Sequence, residues 1–132
     1  MGDSVIGEWC NLGAGTSNSN LKNTAGLVNV WSMADNAYVS AGMKCGLLMG
    51  DYSRCAINTS FNTGTVVGAC ANVFGAGLLP KYIASFSWGI DTRPLKYDLE
   101  QAIIHIKNWK KFKNQQLTEK EIQQLEHIFD RE

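Results

Sequence analysis

Apolar residues recur at one fixed interval through the middle of the chain. Stepping by six from Met43 gives Met49, Cys55, Phe61, Val67, Val73 and Leu79, and every one is apolar. An amphipathic helix would place apolar residues at i, i+3, i+4 and i+7, and a half-buried strand would alternate with period two. Neither template fits residues 49–79. A six-residue period belongs to β-helix solenoids, in which each unit is one short strand and a turn, and three units make a coil of about 18 residues. The spacing predicts that Met49 stacks on Val67, Cys55 on Val73, and Met43 on Phe61 and Leu79. Gly50 and Gly68 follow Met49 and Val67. They fall at corners, where a side chain would clash or φ must be positive.

Ile6-Gly7 and Leu12-Gly13 carry the same apolar-then-glycine pair six residues apart. The phase is lost between Leu12 and Met43, so a loop at about residues 16–42 is expected to interrupt the repeat. It holds a polar run over 16–24, a short strand over 27–31 and a turn signal at Asp35-Asn36. Loops of this length in a compact domain are usually functional or interfacial. The period is expected to stop at Leu79-Pro80. The other end has no such stop, and the first coil begins almost at residue 1. The sequence therefore reads as a piece of a longer protein, preceded by earlier coils or a whole domain.

Residues 90–132 read as two helices. The first, over 97–113, puts Leu99, Ile103, Ile106 and Lys110 on one stripe. Lys107, Lys110, Lys111 and Lys113 crowd its C-terminal end, where cations suit the helix dipole. A solvated helix end is the plain reading of that cluster, and an anion site the sharper one. The second helix opens with Thr118-Glu119-Lys120-Glu121, a capping box, and buries Ile122, Leu125, Ile128 and Phe129. The expected division is a β domain over residues 1–89 and a C-terminal helical extension over 90–132.

Composition sharpens that division. All 13 glycines lie at or before Gly89, whereas 16 of the 24 charges fall in residues 90–132. The 12 basic and 12 acidic residues cancel, which argues against nucleic acid as a partner. No apolar run approaches the ~20 residues of a membrane-spanning helix, and no signal-peptide pattern is present. A cytoplasmic protein without membrane contact is expected. Cys10, Cys45, Cys55 and Cys70 show neither a CxxC nor a Cys/His spacing suited to a metal, so no metal site is expected. Reduced, buried thiols fit a cytoplasmic chain; two disulfides would fit a secreted one.

Ile6-Gly7, the run Asn11-Leu12-Gly13-Ala14-Gly15-Thr16, and Asn20 resemble a known family. It is that of the bifunctional N-acetylglucosamine-1-phosphate uridylyltransferase/glucosamine-1-phosphate acetyltransferases, whose pattern here is Asn, Ile or Leu, Gly-Ala-Gly-Thr, then Asn-Tyr. Met49-Gly50-Asp51, Ile57-Asn58-Thr59, the run Phe61-Asn62-Thr63-Gly64-Thr65-Val66-Val67-Gly68, and Phe86-Ser87-Trp88-Gly89 resemble a narrower group of related sugar nucleotidyltransferases. Together these stretches span about residues 4–89. The resemblance implies a mainly β fold, a left-handed parallel β-helix of hexapeptide repeats, here followed by the α-helical pair. It implies the C-terminal domain of a sugar-nucleotide-metabolism transferase, sugar-1-phosphate nucleotidyltransferase-like, assembled as a homotrimer. Sugar phosphate or sugar nucleotide is the implied substrate. Acyl-CoA-dependent acyltransferase chemistry, with acetyl-CoA in a groove between subunits, is implied for acetyltransferase members.

Residue by residue, the family pattern carries over to Asn20 as a ligand-binding residue. Lys22 and Asn23 join it on loop position alone. The family's tyrosine is replaced by Leu21. Its general-base histidine lies upstream of the Gly-Ala-Gly-Thr run, whereas His105 and His127 both lie in the helical tail. A base must reach the proton it removes, so no catalytic residue is assigned. Asn18 and Asn20 have a plainer reading as turn caps, and Asn58, Thr59, Asn62 and Thr63 either line a polar groove or satisfy backbone groups at corners. The alternative function is a non-catalytic oligomerisation or regulatory module for an N-terminal nucleotidyltransferase domain.

Overall fold

The computed structural model describes residues 1–90 and 95–131. Three two-residue strands come first: β1 (Val5–Ile6), β2 (Asn11–Leu12) and β3 (Ser17–Asn18). A hairpin follows, β4 (Asn29–Ser32) and β5 (Ala37–Ser40). Then come β6 (Leu48–Met49), β7 (Arg54–Cys55), β8 (Ser60–Phe61), β9 (Val66–Val67), β10 (Asn72–Val73), β11 (Tyr82–Ile83), β12 (Ser87–Trp88) and β13 (Leu95–Lys96). Two helices close the chain, α1 (Leu99–Lys111) and α2 (Glu119–Arg131).

The strands form parallel sheets with orders β1-β6-β9-β11, β2-β7-β10-β12 and β3-β8; β13 adds antiparallel to β12. The chain visits the three sheets in rotation, and from β6 to β10 a strand begins every six residues. Met49 pairs with Val67 and Cys55 with Val73, eighteen residues on in each case. Phe61 and Leu79 also come together, through a parallel bridge between Ser60 and Leu78. From β6 to β11 the second residue of each strand points inward. Met49, Cys55, Phe61, Val67, Val73, Leu79 and Ile83 make one buried cluster with Leu47.

Met43 departs from the expected pattern: it is exposed and lies on no strand. The chain re-enters the sheets only at β6, and Met43 falls on the six-residue step by coincidence of phase. The other edge of the loop also differs. β3 lies inside the expected loop and pairs with β8, so the excursion runs over 19–47. It contains the expected short strand, now one arm of a hairpin turning through Asn36 at φ 50°. Leu79-Pro80 does not end the stacking either. β11 and β12 pair with β9 and β10 at an offset of sixteen residues, two shorter than before, which hid them from a strict period.

Two kinds of corner hold the turns. After β6 and β9 the backbones of Gly50 and Gly68 pack so closely that a Cβ on Gly50 would lie 2.8 Å from the Gly68 carbonyl carbon. Gly50 needs no left-handed backbone there; Tyr52, Cys70 and Phe86, a little further on, adopt φ of 63°, 55° and 57°. Trp9 does the same one coil earlier, at φ 58°. Buried hydroxyls satisfy the turn amides and carbonyls. Ser53 Oγ donates to Gly68 O at 2.6 Å and accepts from Ala71 N at 3.1 Å. Thr59 and Ser87 each donate to the carbonyl three residues back, at 2.6 and 2.7 Å. Thr63 N and Oγ1 both turn to Asn62 Oδ1. Thr59, Asn62 and Thr63 are thus engaged at corners.

The helices cover the corner that Tyr52, Cys70 and Phe86 build. Cys70 and Phe86 share a buried cluster with Tyr97, Ala102, Ile106 and Leu125, flanked by Tyr52, Trp88, Trp109 and Phe129. The start of the helical extension at 91–94 lies outside the described residues. Asp98 caps α1 by accepting from Gln101 N at 3.2 Å. The expected capping box opens α2: Glu121 N donates to Thr118 Oγ1, and Thr118 N donates back to Glu121 Oε1 at 3.1 Å. Lys107, Lys111 and Lys113 are exposed, as a solvated helix end should be. Lys110 is not. It is buried, and its Nζ lies 2.7 Å from Glu121 Oε2.

Candidate functional site

A groove of about 980 Å³ runs over the outer face of the sheet β1-β6-β9-β11. Its floor follows from strand alternation: the first residue of each strand points outward, so Val5, Leu48, Val66 and Tyr82 form an apolar stripe. The hairpin β4–β5 raises one wall. Trp31 stacks on Tyr82 at 5.1 Å between ring centroids, and Met33 extends the wall. Val28 and Val30 anchor the hairpin against Gly64, where φ is 63° and a Cβ would meet Val28 Cγ1 at 2.6 Å. Lys81 Nζ donates to Asn29 O and ties the same arm down. The opposite wall is the glycine corner and the end of α2, with Ile128, His127 and Arg131.

The groove is apolar along its length and carries a cation and an imidazole at one end. Ser85, at the corner, already accepts from Ala69 N at 2.9 Å, so its hydroxyl belongs to the turn. Arg131 and His127 are exposed there. This arrangement suits a ligand with an apolar or aromatic arm and an anionic end. His127 is the one imidazole among the residues lining it.

Asn20, Lys22 and Asn23 lie on the excursion between β3 and β4 and do not line this groove. Asn20 Nδ2 donates to Asp3 Oδ2 at 2.8 Å, and its carbonyl accepts from Cys45 N at 3.0 Å, so it ties the N-terminal segment to the end of the loop. Asn18 does similar work, donating to Gly2 O at 3.1 Å and Ser4 Oγ at 3.2 Å. Lys22 closes a turn by accepting from Ala25 N, and Asn23 is exposed. Lys22 also lies near Lys81, whose pKa is held below the usual lysine range by burial first and by this like charge second. Leu48, Val66, Tyr82 and the end of α2 carried no signal as a site. Each reads as ordinary strand or helix until the sheet, hairpin and helix are assembled.

The four cysteines are free thiols. Burial pushes the Cys70 thiol up to about 12, so it stays protonated. Among the described residues no group of three His, Cys, Asp or Glu side chains could hold a metal, and no helix is long and apolar enough to cross a membrane.

No protein-family profile matches the chain. Over 87 residues it is 34% identical to the bifunctional protein GlmU of Methanocaldococcus jannaschii, covering 64% of this chain. The chain spans about a fifth of that relative's length (20%). This identity supports a partial, sugar-nucleotide transferase-like relationship, and parallel strands stacked in three sheets agree with it.

Proposed function

We propose that this chain is the C-terminal part of a sugar-nucleotide transferase, with its three parallel sheets closed into a left-handed β-helix of hexapeptide repeats. The helical pair 90–132 is an extension packed on the β domain 1–89. In this reading the protein is cytoplasmic, forms a homotrimer, and works with sugar phosphate or sugar nucleotide supplied through an N-terminal nucleotidyltransferase domain. The groove over β1-β6-β9-β11 is the observation that carries a ligand site. Its residues fit acetyl-CoA: Val66, Leu48 and Tyr82 take the apolar arm, the Trp31 ring closes over it, and Arg131 attracts phosphate. When bound, acetyl-CoA supplies an activated acetyl group. His127 is placed to take the proton from an acceptor amine or hydroxyl. Asn20, Lys22 and Asn23 stay in the proposal as acceptor-side residues on the loop, outside the groove.

A second reading rests on a different observation. Ile57, Phe74 and Leu78 are exposed at 69%, 40% and 63%, an apolar surface away from the groove. It favours a non-catalytic module that assembles subunits. Calorimetric titration of acetyl-CoA together with light scattering separates the two. The transferase reading expects saturable binding, lost on Val66→Arg without change of solution mass, and weakened acceptor binding on Asn20→Ala. A trimer that ignores acetyl-CoA supports the assembly module instead. A monomer that ignores it removes both.

A further inference from the structure

Among the described residues Arg54 is a cation without an anion. It stands on β7 and points outward, because its neighbour Cys55 is in the core. Its Nε is sealed from solvent and meets no acceptor among the described residues. Its guanidinium carbon lies 3.1 Å from the centre of the Trp109 ring, so α1 covers one face of the plane. No carboxylate pairs with it among the described residues, whose one ion pair joins Lys110 to Glu121.

The register puts two amides beside it. Asn11 and Asn72 are the direct partners of Arg54 on β2 and β10, so all three side chains leave the same face at strand spacing. No intramolecular hydrogen bond engages either Asn side chain among the described residues. Asn11 is exposed and Asn72 half-buried, which leaves the row open from the β2 side. A buried donor without an acceptor is destabilising, so such a group in a folded chain asks what completes it. Stacking on an aromatic ring uses the face of a guanidinium and leaves its in-plane N–H groups to grip two oxygens at once.

We propose that the row Asn11, Arg54 and Asn72 on the outer face of β2-β7-β10 binds a small oxyanion, a phosphate or carboxylate group, at the edge of the Arg54 guanidinium. The two amides donate to the outer oxygens, and Trp109 holds the guanidinium plane in place. This site lies on a different sheet from the groove and stands or falls independently of it.

The test uses the whole chain, labelled with 15N. Sodium phosphate and, separately, sodium acetate are titrated at ionic strength matched with sodium chloride, following the Arg54 Nε–H and Trp109 indole N–H signals. The expected result is a saturating shift of both signals with a midpoint of about 1 mM for at least one of the two anions. The stronger anion tells whether the natural ligand presents a phosphoryl or a carboxylate group. Arg54→Gln should weaken binding about tenfold, and Asn72→Ala severalfold. Shifts that stay linear and match those of chloride overturn the proposal. So does an unchanged midpoint in Arg54→Gln or, should that variant not fold, in the Asn11→Ala/Asn72→Ala pair.

Discussion

At the corner after β6, the Gly50 backbone meets the Gly68 backbone with no room for a methyl group. Gly50→Ala would force that carbon within 2.8 Å of a carbonyl carbon and 2.9 Å of Ala69 N, and neither is free to move. Overpacking of this kind costs about 1–3 kcal/mol, so the variant should unfold at lower urea with an unchanged m-value. This was legible in the sequence, because a glycine after an inward residue recurs. Its reason was legible only in part: close approach decides at Gly50, whereas the left-handed backbone falls to Tyr52, Cys70 and Phe86. Nothing in a tyrosine, a cysteine and a phenylalanine announces a shared φ. Their side chains explain the choice, since each helps build the surface on which the helices sit.

Among the elements, α1 and α2 are joined to each other and to the sheet corner through one carboxylate. Glu121 accepts from Lys110 at 2.7 Å, from Tyr52 at 3.0 Å and from Thr118. Lys110, then the Thr118 backbone N–H, are the main causes that pull the Glu121 carboxyl down to about 2. A carboxyl depressed on folding stabilises the fold above its unfolded pKa, here near 4.5, and that gain disappears as pH falls through the folded value. The stability difference between wild type and Glu121→Gln should hold steady above about pH 5 and shrink towards pH 2 in urea titrations. The capping box in the sequence pointed to Glu121. The partners Lys110 and Tyr52 did not show there, because 11 and 69 residues separate them from it. Lys110 looked like the other lysines of a charged helix end until α2 folded over it.

Over the whole molecule, stacking was the readable property and enclosure was not. Inward residues repeat, so the six-residue period alone sufficed to order Met49 to Leu79. Outward residues carry no repeat. Leu48, Val66 and Tyr82 become a floor only because a hairpin inserted between β3 and β6 folds back beside them, and Arg54 gains its neighbours only through the register. The same insertion sets the order of assembly. β6 to β10 meet their partners after eighteen residues, but β1, β2 and β3 meet theirs across forty-three. Closing the longer loop costs about 0.8 kcal/mol more in chain entropy. The first coil is joined to the next through β6, β7 and β8. It should dock last in refolding and open first in the native state. Amide hydrogen exchange would show this as faster loss of protection at Val5, Asn11 and Ser17 than at Leu48, Arg54 and Val66. The floor of the groove would then have a hinged end at Val5: a strand that leaves while the rest of the sheet stays paired.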